Sequence, residues 1–173
     1  MDHMANKAVR CSDCGNDATI KKGIYRFAEC GLNNVLLKGI EMIECPVCGN
    51  VDPIISHMTE LFRVIAMAMI AKPQSLTGSE VRYLRKYAGM NGEQFARMLH
   101  TDKTTVSKWE NDAIKIGSKT DLLIRAVALQ IGPGLKTEAE RLIRNFEVIN
   151  EESDEQQPNR LEVDSETLEY AYA

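Results

Sequence analysis

The chain has 173 residues, of which 44% are hydrophobic and 27% charged, proportions that are ordinary for a soluble protein of one large or two small domains. Its longest apolar run, residues 64–71, has eight residues, far fewer than a membrane-spanning helix requires. No basic-then-apolar signal segment opens the chain, so we expect a cytoplasmic protein without membrane contact. An enzyme is not expected, because the sequence has no nucleophile–base signature and no glycine-rich phosphate loop.

The formal net charge of −4 is unevenly distributed along the chain. Residues 76–131 contain nine Lys and Arg against six Asp and Glu, whereas residues 151–173 contain eight acidic residues and one arginine. The excess acidity is therefore confined to the C-terminal segment. A modestly basic region at 76–131 is electrostatically able to contact the phosphates of a nucleic acid.

Two cysteine pairs stand out in the N-terminal third. Cys11 and Cys14, followed by glycine, are separated by thirty residues from Cys45 and Cys48, which are also followed by glycine. Two such pairs supply the four tetrahedral thiolate ligands of a structural zinc site. Iron is the alternative metal, since the pairs also resemble rubredoxin knuckles, while disulfides suit a cytosolic chain poorly. Cys30 fits neither spacing and is expected to be a small buried apolar residue.

Short strands are predicted between the cysteine pairs, at residues 18–27 and 35–44, where apolar and polar residues alternate loosely. A unit of this size buries little core unaided, so a bound metal is expected to contribute much of its folding free energy. After the second pair, the apolar spacing of residues 54–71 predicts a helix, and residues 72–75 predict a hinge.

Residues 76–112 predict three short helices in close succession. The third helix, residues 103–111 with Asp102 as its N-cap, turns Val106 and Trp109 inward and exposes a polar, cationic face. Two short helices joined by a turn of three or four residues, the second with such a face, are typical of the helix-turn-helix that enters the major groove of DNA.

The exposed face of the third helix supplies the candidate DNA contacts, because lysines and hydroxyls bind both bases and phosphates. Ser107 is the candidate that can serve a phosphate instead of a base. The complete set is Lys103, Thr104, Thr105, Ser107 and Lys108.

The sequence TTVSKWEN at residues 104–111 resembles the signature of the Xre/Cro family nearly letter for letter, and the resemblance extends over roughly residues 76–131. It implies a DNA-binding domain of about five helices. Three letters depart from the family pattern. Gly92 stands where the family usually has a glutamine that contacts phosphate, and His100 and Asp112 stand where glycine is common.

The order of CSDCG, CPVCG and the Xre-like segment resembles the YgiT/MqsA family of zinc-finger/helix-turn-helix proteins. The resemblance implies a dimeric antitoxin whose zinc domain binds a toxin ribonuclease and whose C-terminal domain binds a palindrome in its own promoter. In the MqsA type an asparagine and an arginine of the recognition helix read bases. Aligning SKWE on that motif puts Thr104 and Lys108 at these positions, so we expect a different operator.

Two further elements are predicted beyond this region. Residues 119–131 have an amphipathic helical pattern, and Thr137 with Glu140 predicts a capping box that opens a last helix, ending at Asn150. The apolar stripe of that helix is expected to be buried, either against a dimer partner or against the helix-turn-helix core. We slightly favour the dimer, because helix-turn-helix proteins usually bind two half-sites. Residues 151–173 are acidic enough to be mostly disordered, although their few apolar residues are alternatively a docking segment.

Together these features predict a mainly α protein with a small N-terminal zinc-bound β unit and a Xre/Cro (λ-repressor-like) helix-turn-helix bundle. The expected function is a sequence-specific DNA-binding repressor, an autoregulating antitoxin of a type II toxin–antitoxin pair. A free-standing regulator without a toxin and a rubredoxin-like iron redox protein are the alternatives. The predicted division is a leader at 1–9 with residues 1–4 left from an expression tag, a zinc-binding domain at 10–53, a linker helix and hinge at 54–75, a helix-turn-helix domain at 76–150 and an acidic tail at 151–173.

Overall fold

The structure, a computed structural model, describes residues 9–135 and 160–173. In these ranges a six-stranded mixed sheet packs against five helices, none of which is long and apolar enough to cross a membrane. The strands are β1 (Val9–Arg10), β2 (Asp17–Arg26), β3 (Val35–Glu44), β4 (Val51–Ile54), β5 (Leu161–Asp164) and β6 (Tyr170–Tyr172). The helices are α1 (Met58–Ala71), α2 (Gly78–Tyr87), α3 (Gly92–Met98), α4 (Lys103–Glu110) and α5 (Ser118–Ile131).

The sheet is organised around β3. On one edge, β3 pairs with β2 in antiparallel orientation along nearly its whole length. The short strand β1 pairs antiparallel with the first two residues of β2. The other edge is shared, because β4 pairs antiparallel with residues 41–44 and β5 pairs parallel with residues 35–38. β6 completes the sheet as the antiparallel neighbour of β5. The two strands predicted between the cysteine pairs are confirmed as β2 and β3.

The predicted fold class, a mainly α chain with a Xre/Cro-like helix-turn-helix bundle, is wrong. Residue 54, assigned by its spacing to a helix, ends β4, and residues 161–164 and 170–172 of the expected disordered tail form β5 and β6. β4 is short and contains Pro53, which is tolerated only because β4 is an edge strand. The alternation of apolar and acidic residues in β5 spans only four residues of an acidic segment, so it did not predict a strand.

The main hydrophobic core joins the sheet to the helices, so the helices do not form a separate bundle. Five residues with no exposed surface illustrate its extent: Leu37 of β3, Leu161 of β5, Ile65 of α1, Leu84 of α2 and Ile124 of α5. Burying each such side chain contributes about 1.5–3 kcal/mol, and here the gain is shared between strands and helices. The mixed sheet and the helices therefore stabilise one another.

The helix α4 agrees closely with its sequence pattern. The Asp102 carboxylate accepts a hydrogen bond from the Thr105 N–H at 2.8 Å, which confirms the predicted N-cap, and Val106 and Trp109 are buried as expected. The helix predicted from Thr137 to Asn150 lies outside the described residues, as do residues 1–8 of the predicted leader.

A buried arginine holds the segment that connects α1 to α2. Arg125 of α5 has no exposed surface and donates to the backbone carbonyl oxygens of Ile70 at 2.8 Å, Lys72 at 2.6 Å and Gln74 at 2.7 Å. Its Nε pairs with Asp121 at 2.5 Å. Residues 72–75, predicted as a hinge, are therefore held by hydrogen bonds, because the arginine satisfies carbonyl groups that the end of α1 leaves free.

Candidate metal centre and candidate nucleic-acid interface

Each cysteine pair lies in a tight turn between two antiparallel strands. The first cysteine loop, residues 11–16, joins β1 to β2, and the second cysteine loop, residues 45–50, joins β3 to β4. In the first loop the Cys11 N–H donates to the Asn16 carbonyl at 2.9 Å, and the Gly15 N–H donates to the Cys11 carbonyl at 3.1 Å.

The second cysteine loop repeats these bonds at 2.9 and 3.0 Å, with Cys45 bonded to Asn50 and Gly49 bonded to Cys45. Both loops turn at a glycine with positive φ, Gly15 at 71° and Gly49 at 76°. This left-handed conformation favours glycine, which explains why glycine follows each pair.

The four thiols of these loops converge on one point. All four Sγ atoms lie within 4.8 Å of one another, and the Cys11–Cys48 and Cys14–Cys45 sulfur pairs are each 3.5 Å apart. Thiolates bound about 2.3 Å from a tetrahedral zinc ion lie about 3.8 Å from each other, so the cluster has the size that a metal ion requires. Cys11, Cys14, Cys45 and Cys48 therefore form a candidate metal-binding site.

Hydrogen bonds around the sulfurs shift the pKa values of two of the four thiols, Cys14 and Cys48, in opposite directions. The backbone N–H and the side-chain amide of Asn16 lower the pKa of the Cys14 thiol to about 6. The backbone N–H of Asn50 also lowers the pKa of Cys48, but hydrogen bonds with the Cys14 and Cys11 thiols outweigh it and raise that pKa to about 12. A metal ion bound by these thiols would displace their remaining protons.

A polar cluster connects the two cysteine loops to each other. The Ser12 hydroxyl donates to the Asp52 carboxylate at 2.5 Å, and the Asn50 amide donates to Asp52 at 2.9 Å and to Ser12 at 3.2 Å. This cluster was not predicted from the sequence. Its signal was the repeated asparagine in CSDCGN and CPVCGN, since Asn16 and Asn50 occupy the same place in both loops.

Cys30 stands apart from the thiol cluster. It lies in a short 3₁₀ turn between β2 and β3, and its thiol donates to the Phe27 carbonyl at 2.9 Å. The side chain of Cys30 is half-buried against the core rather than fully buried as predicted, and burial raises the pKa of its thiol.

The predicted DNA-contacting residues lie on one helix, α4, where they are mostly exposed. Lys103, Thr104, Ser107 and Lys108 are exposed, and neither lysine has an ion-pair partner in the described part of the chain. Thr105 is half-buried, and its hydroxyl donates to Asp102 at 2.7 Å, so it serves the helix cap. The exposed face of α4 therefore presents two lysines and two hydroxyls.

The orientation of α4 is fixed by a buried carboxylate from the same sequence motif. Glu110 is 9% exposed and accepts hydrogen bonds from the guanidinium groups of Arg85, at 2.5 and 3.1 Å, and Arg82, at 3.3 Å. Both arginines belong to α2, so α2 and α4 cannot rotate independently. The glutamate of the SKWE segment is thus a positioning residue for the exposed lysines.

Two departures from the Xre/Cro pattern fall at positions with left-handed backbone. His100, between α3 and α4, has φ of 50°, and Asp112, after α4, has φ of 53°. Such values are strained for residues other than glycine. Asp112 gains in return a 2.6 Å hydrogen bond from the Gly78 N–H at the start of α2, whereas His100 has no comparable bond within the described residues.

We expect His100→Gly to stabilise the protein by about 1 kcal/mol, because glycine relieves the left-handed strain. The matched change Asp112→Gly relieves the same strain but removes the charged acceptor of the Gly78 N–H, a hydrogen bond worth about 1.5–3 kcal/mol, so its net effect should be a destabilisation of about 1 kcal/mol. Urea unfolding of both variants measures the two differences. Shifts of the same sign would contradict the role given to Asp112.

Comparisons with protein-family models, curated proteins and solved structures find no match for this chain. Function is therefore inferred from the residues and their geometry.

Proposed function

We propose that this chain is a sequence-specific DNA-binding transcriptional regulator that acts through α4. The observation that carries the proposal is the exposed face of α4, where Lys103, Thr104, Ser107 and Lys108 lie together on a helix that Asp102 caps and Glu110 locks to α2. A short helix with cations and hydroxyls on one rigid face suits the major groove, where such side chains bind base edges and phosphates.

The proposal extends to regulation and partners. The resemblance to YgiT/MqsA proteins supports a homodimer that binds a palindrome in its own promoter as an antitoxin, with a toxin partner bound by the metal-bearing region. A free-standing regulator shares the DNA contacts and lacks the toxin. A short adjacent reading frame whose product co-purifies with the full chain favours the antitoxin, and its absence favours the free-standing regulator.

The resident metal in this proposal is zinc. Four thiolates that close two turns of a small sheet suit a structural ion, which would stabilise the loops without taking part in a reaction. The same ligands accept iron, the alternative of a rubredoxin-like protein. Metal analysis and the visible spectrum of the purified chain distinguish the two metals. A zinc site is colourless, whereas a four-thiolate iron site has a visible absorption that is lost and regained as the iron is reduced and reoxidised.

The DNA-binding proposal is tested by fluorescence anisotropy with the DNA just upstream of this protein's own gene. We expect binding that is much tighter than to a scrambled fragment, that weakens as salt rises, and that saturates at two chains per site. Equal affinity for both fragments would contradict autoregulation, and no binding to either would contradict a role in DNA binding.

We expect Lys108→Ala to weaken binding to the specific DNA by about 1–3 kcal/mol if Lys108 contacts a base pair, with a smaller effect on random DNA. The matched control is Lys86→Ala, which removes another exposed lysine, from α2, and should leave the affinity nearly unchanged. Equal losses on both DNA fragments would identify Lys108 as a phosphate contact instead.

A further inference from the structure

The edge of β3 accepts a strand from the far end of the chain. Residues 35–38 pair in parallel with residues 161–164, with Val35 opposite Leu161 and Leu37 opposite Val163. Leu161 and Val163 have no exposed surface, so both enter the core. This edge therefore binds an extended segment by main-chain hydrogen bonds and by two apolar side chains of alternate residues.

The docked β5–β6 hairpin, residues 160–173, is stabilised by hydrogen bonds among its own residues. The backbone groups of Arg160 and Ala173 exchange two hydrogen bonds, at 3.1 and 2.9 Å. In its turn, the Asp164 carboxylate accepts hydrogen bonds from the N–H groups of Glu166 at 2.9 Å and Thr167 at 2.8 Å. None of these bonds involves β3, so the hairpin docks as a unit that carries its own internal bonds.

Charge complementarity accompanies the apolar contacts. Glu162 of the hairpin forms an ion pair with Lys38 of β3, and Glu166 pairs with Lys22 of β2 at 2.6 Å. The site thus offers two lysines beside a cleft for two apolar side chains. Its complement is a strand in which apolar and acidic residues alternate, as in the LEVD sequence of β5.

One feature of the docked hairpin is energetically unfavourable. The hydroxyl oxygen of Tyr172 in β6 is inaccessible to solvent and has no hydrogen-bond partner within residues 9–135 and 160–173. Burial, with Glu80 nearby, raises the pKa of this hydroxyl above its usual range. Leaving the sheet would return the hydroxyl to water.

We propose that the edge of β3 at residues 35–38 is a docking site for an extended strand of a partner protein with alternating apolar and acidic residues, and that the β5–β6 hairpin is its resident occupant, displaced when the partner binds. The inference rests on the proposed binding of a protein partner by the metal-bearing region, for which it names a surface. It is independent of DNA binding.

The test uses the full chain and a fluorescent peptide of residues 160–173, RLEVDSETLEYAYA, followed by anisotropy. In the Val163→Asp chain the resident hairpin is unseated, and we expect it to bind the peptide at least tenfold more tightly than the wild type does. A peptide with Glu162→Lys should lose most of this affinity, and a further Lys38→Glu change in the chain should restore it. A peptide of the same composition in scrambled order is the control.

If Val163→Asp fails to fold, the Glu162→Lys chain is compared with the wild type. This change replaces one ion pair with a repulsion between two positive charges, and the variant should bind the peptide at least threefold more tightly. Equal affinities, or no rescue by the charge exchange, would overturn the inference. Because the same variants should bind DNA normally, such a failure is distinguishable from failure of the proposed function. A wild type that is dimeric beside a monomeric Val163→Asp chain would assign the edge to the hairpin of a second copy and overturn the partner assignment.

Discussion

Replacing Cys45 by serine is expected to reduce the bound metal from about one ion per chain to a small fraction of that, because one of the four thiolates is removed. Cys45 packs with Cys11 and Ala18 in a small cluster that is separate from the main core. The loss should therefore unfold the two cysteine loops, residues 11–16 and 45–50, while the helices remain folded. Metal analysis and hydrogen exchange measure the two effects.

The control for this change is Cys30→Ser, which removes a thiol outside the cluster and should leave the metal content unchanged. Loss of exchange protection throughout α1–α5 in the Cys45→Ser chain would show that the metal stabilises the whole protein. Retention of the metal in that chain would contradict the assignment of Cys45 as a ligand.

Replacing Arg125 by alanine is expected to lower the free energy of unfolding by about 3–5 kcal/mol, a large part of the total for an ordinary domain. The change leaves the Asp121 carboxylate buried without its 2.5 Å ion-pair partner. It also leaves four backbone carbonyl groups, at the end of α1 and in the segment that follows it, without their donor. Asp121 keeps the 2.6 Å hydrogen bond from the Leu76 N–H, which does not replace the lost charge. Urea unfolding measures the loss.

Arg97→Ala is the matched control, because Arg97 is an exposed arginine of α3 and its removal should change stability by no more than about 0.5 kcal/mol. Arg125→Lys should recover only part of the loss, since lysine has no planar fork with which to reach several carbonyl groups at once. A loss below about 1 kcal/mol for Arg125→Ala would mean that water replaces the guanidinium.

Periodicity and spacing were sufficient where one local pattern determines the structure. The helix α4 followed from its cap and from Val106 and Trp109, and the four clustered thiols followed from two short spacings and the glycines that close each loop. In both cases the decisive residues are neighbours in sequence, so the pattern is visible without knowledge of the rest of the chain.

Interactions between distant residues were not predictable in this way. A lysine, glutamate or arginine on a helix is ordinarily solvent-exposed, so nothing in the sequence indicated that Arg125 has no exposed surface or that Glu110 binds two arginines of α2. The fold class failed for a similar reason. β5 has only four residues, and its partner on β3 lies more than 120 residues earlier.

The pairing of β3 with β5 also has a consequence for protein synthesis. Leu161 leaves the ribosome 126 residues after Val35, its partner, which at about 5–20 residues per second is roughly 6–25 seconds later. In that interval one edge of the nascent sheet at residues 35–38 has no neighbour, and exposed strand edges promote aggregation. Lys38 places a charge on this edge, which disfavours pairing with other chains until Glu162 arrives.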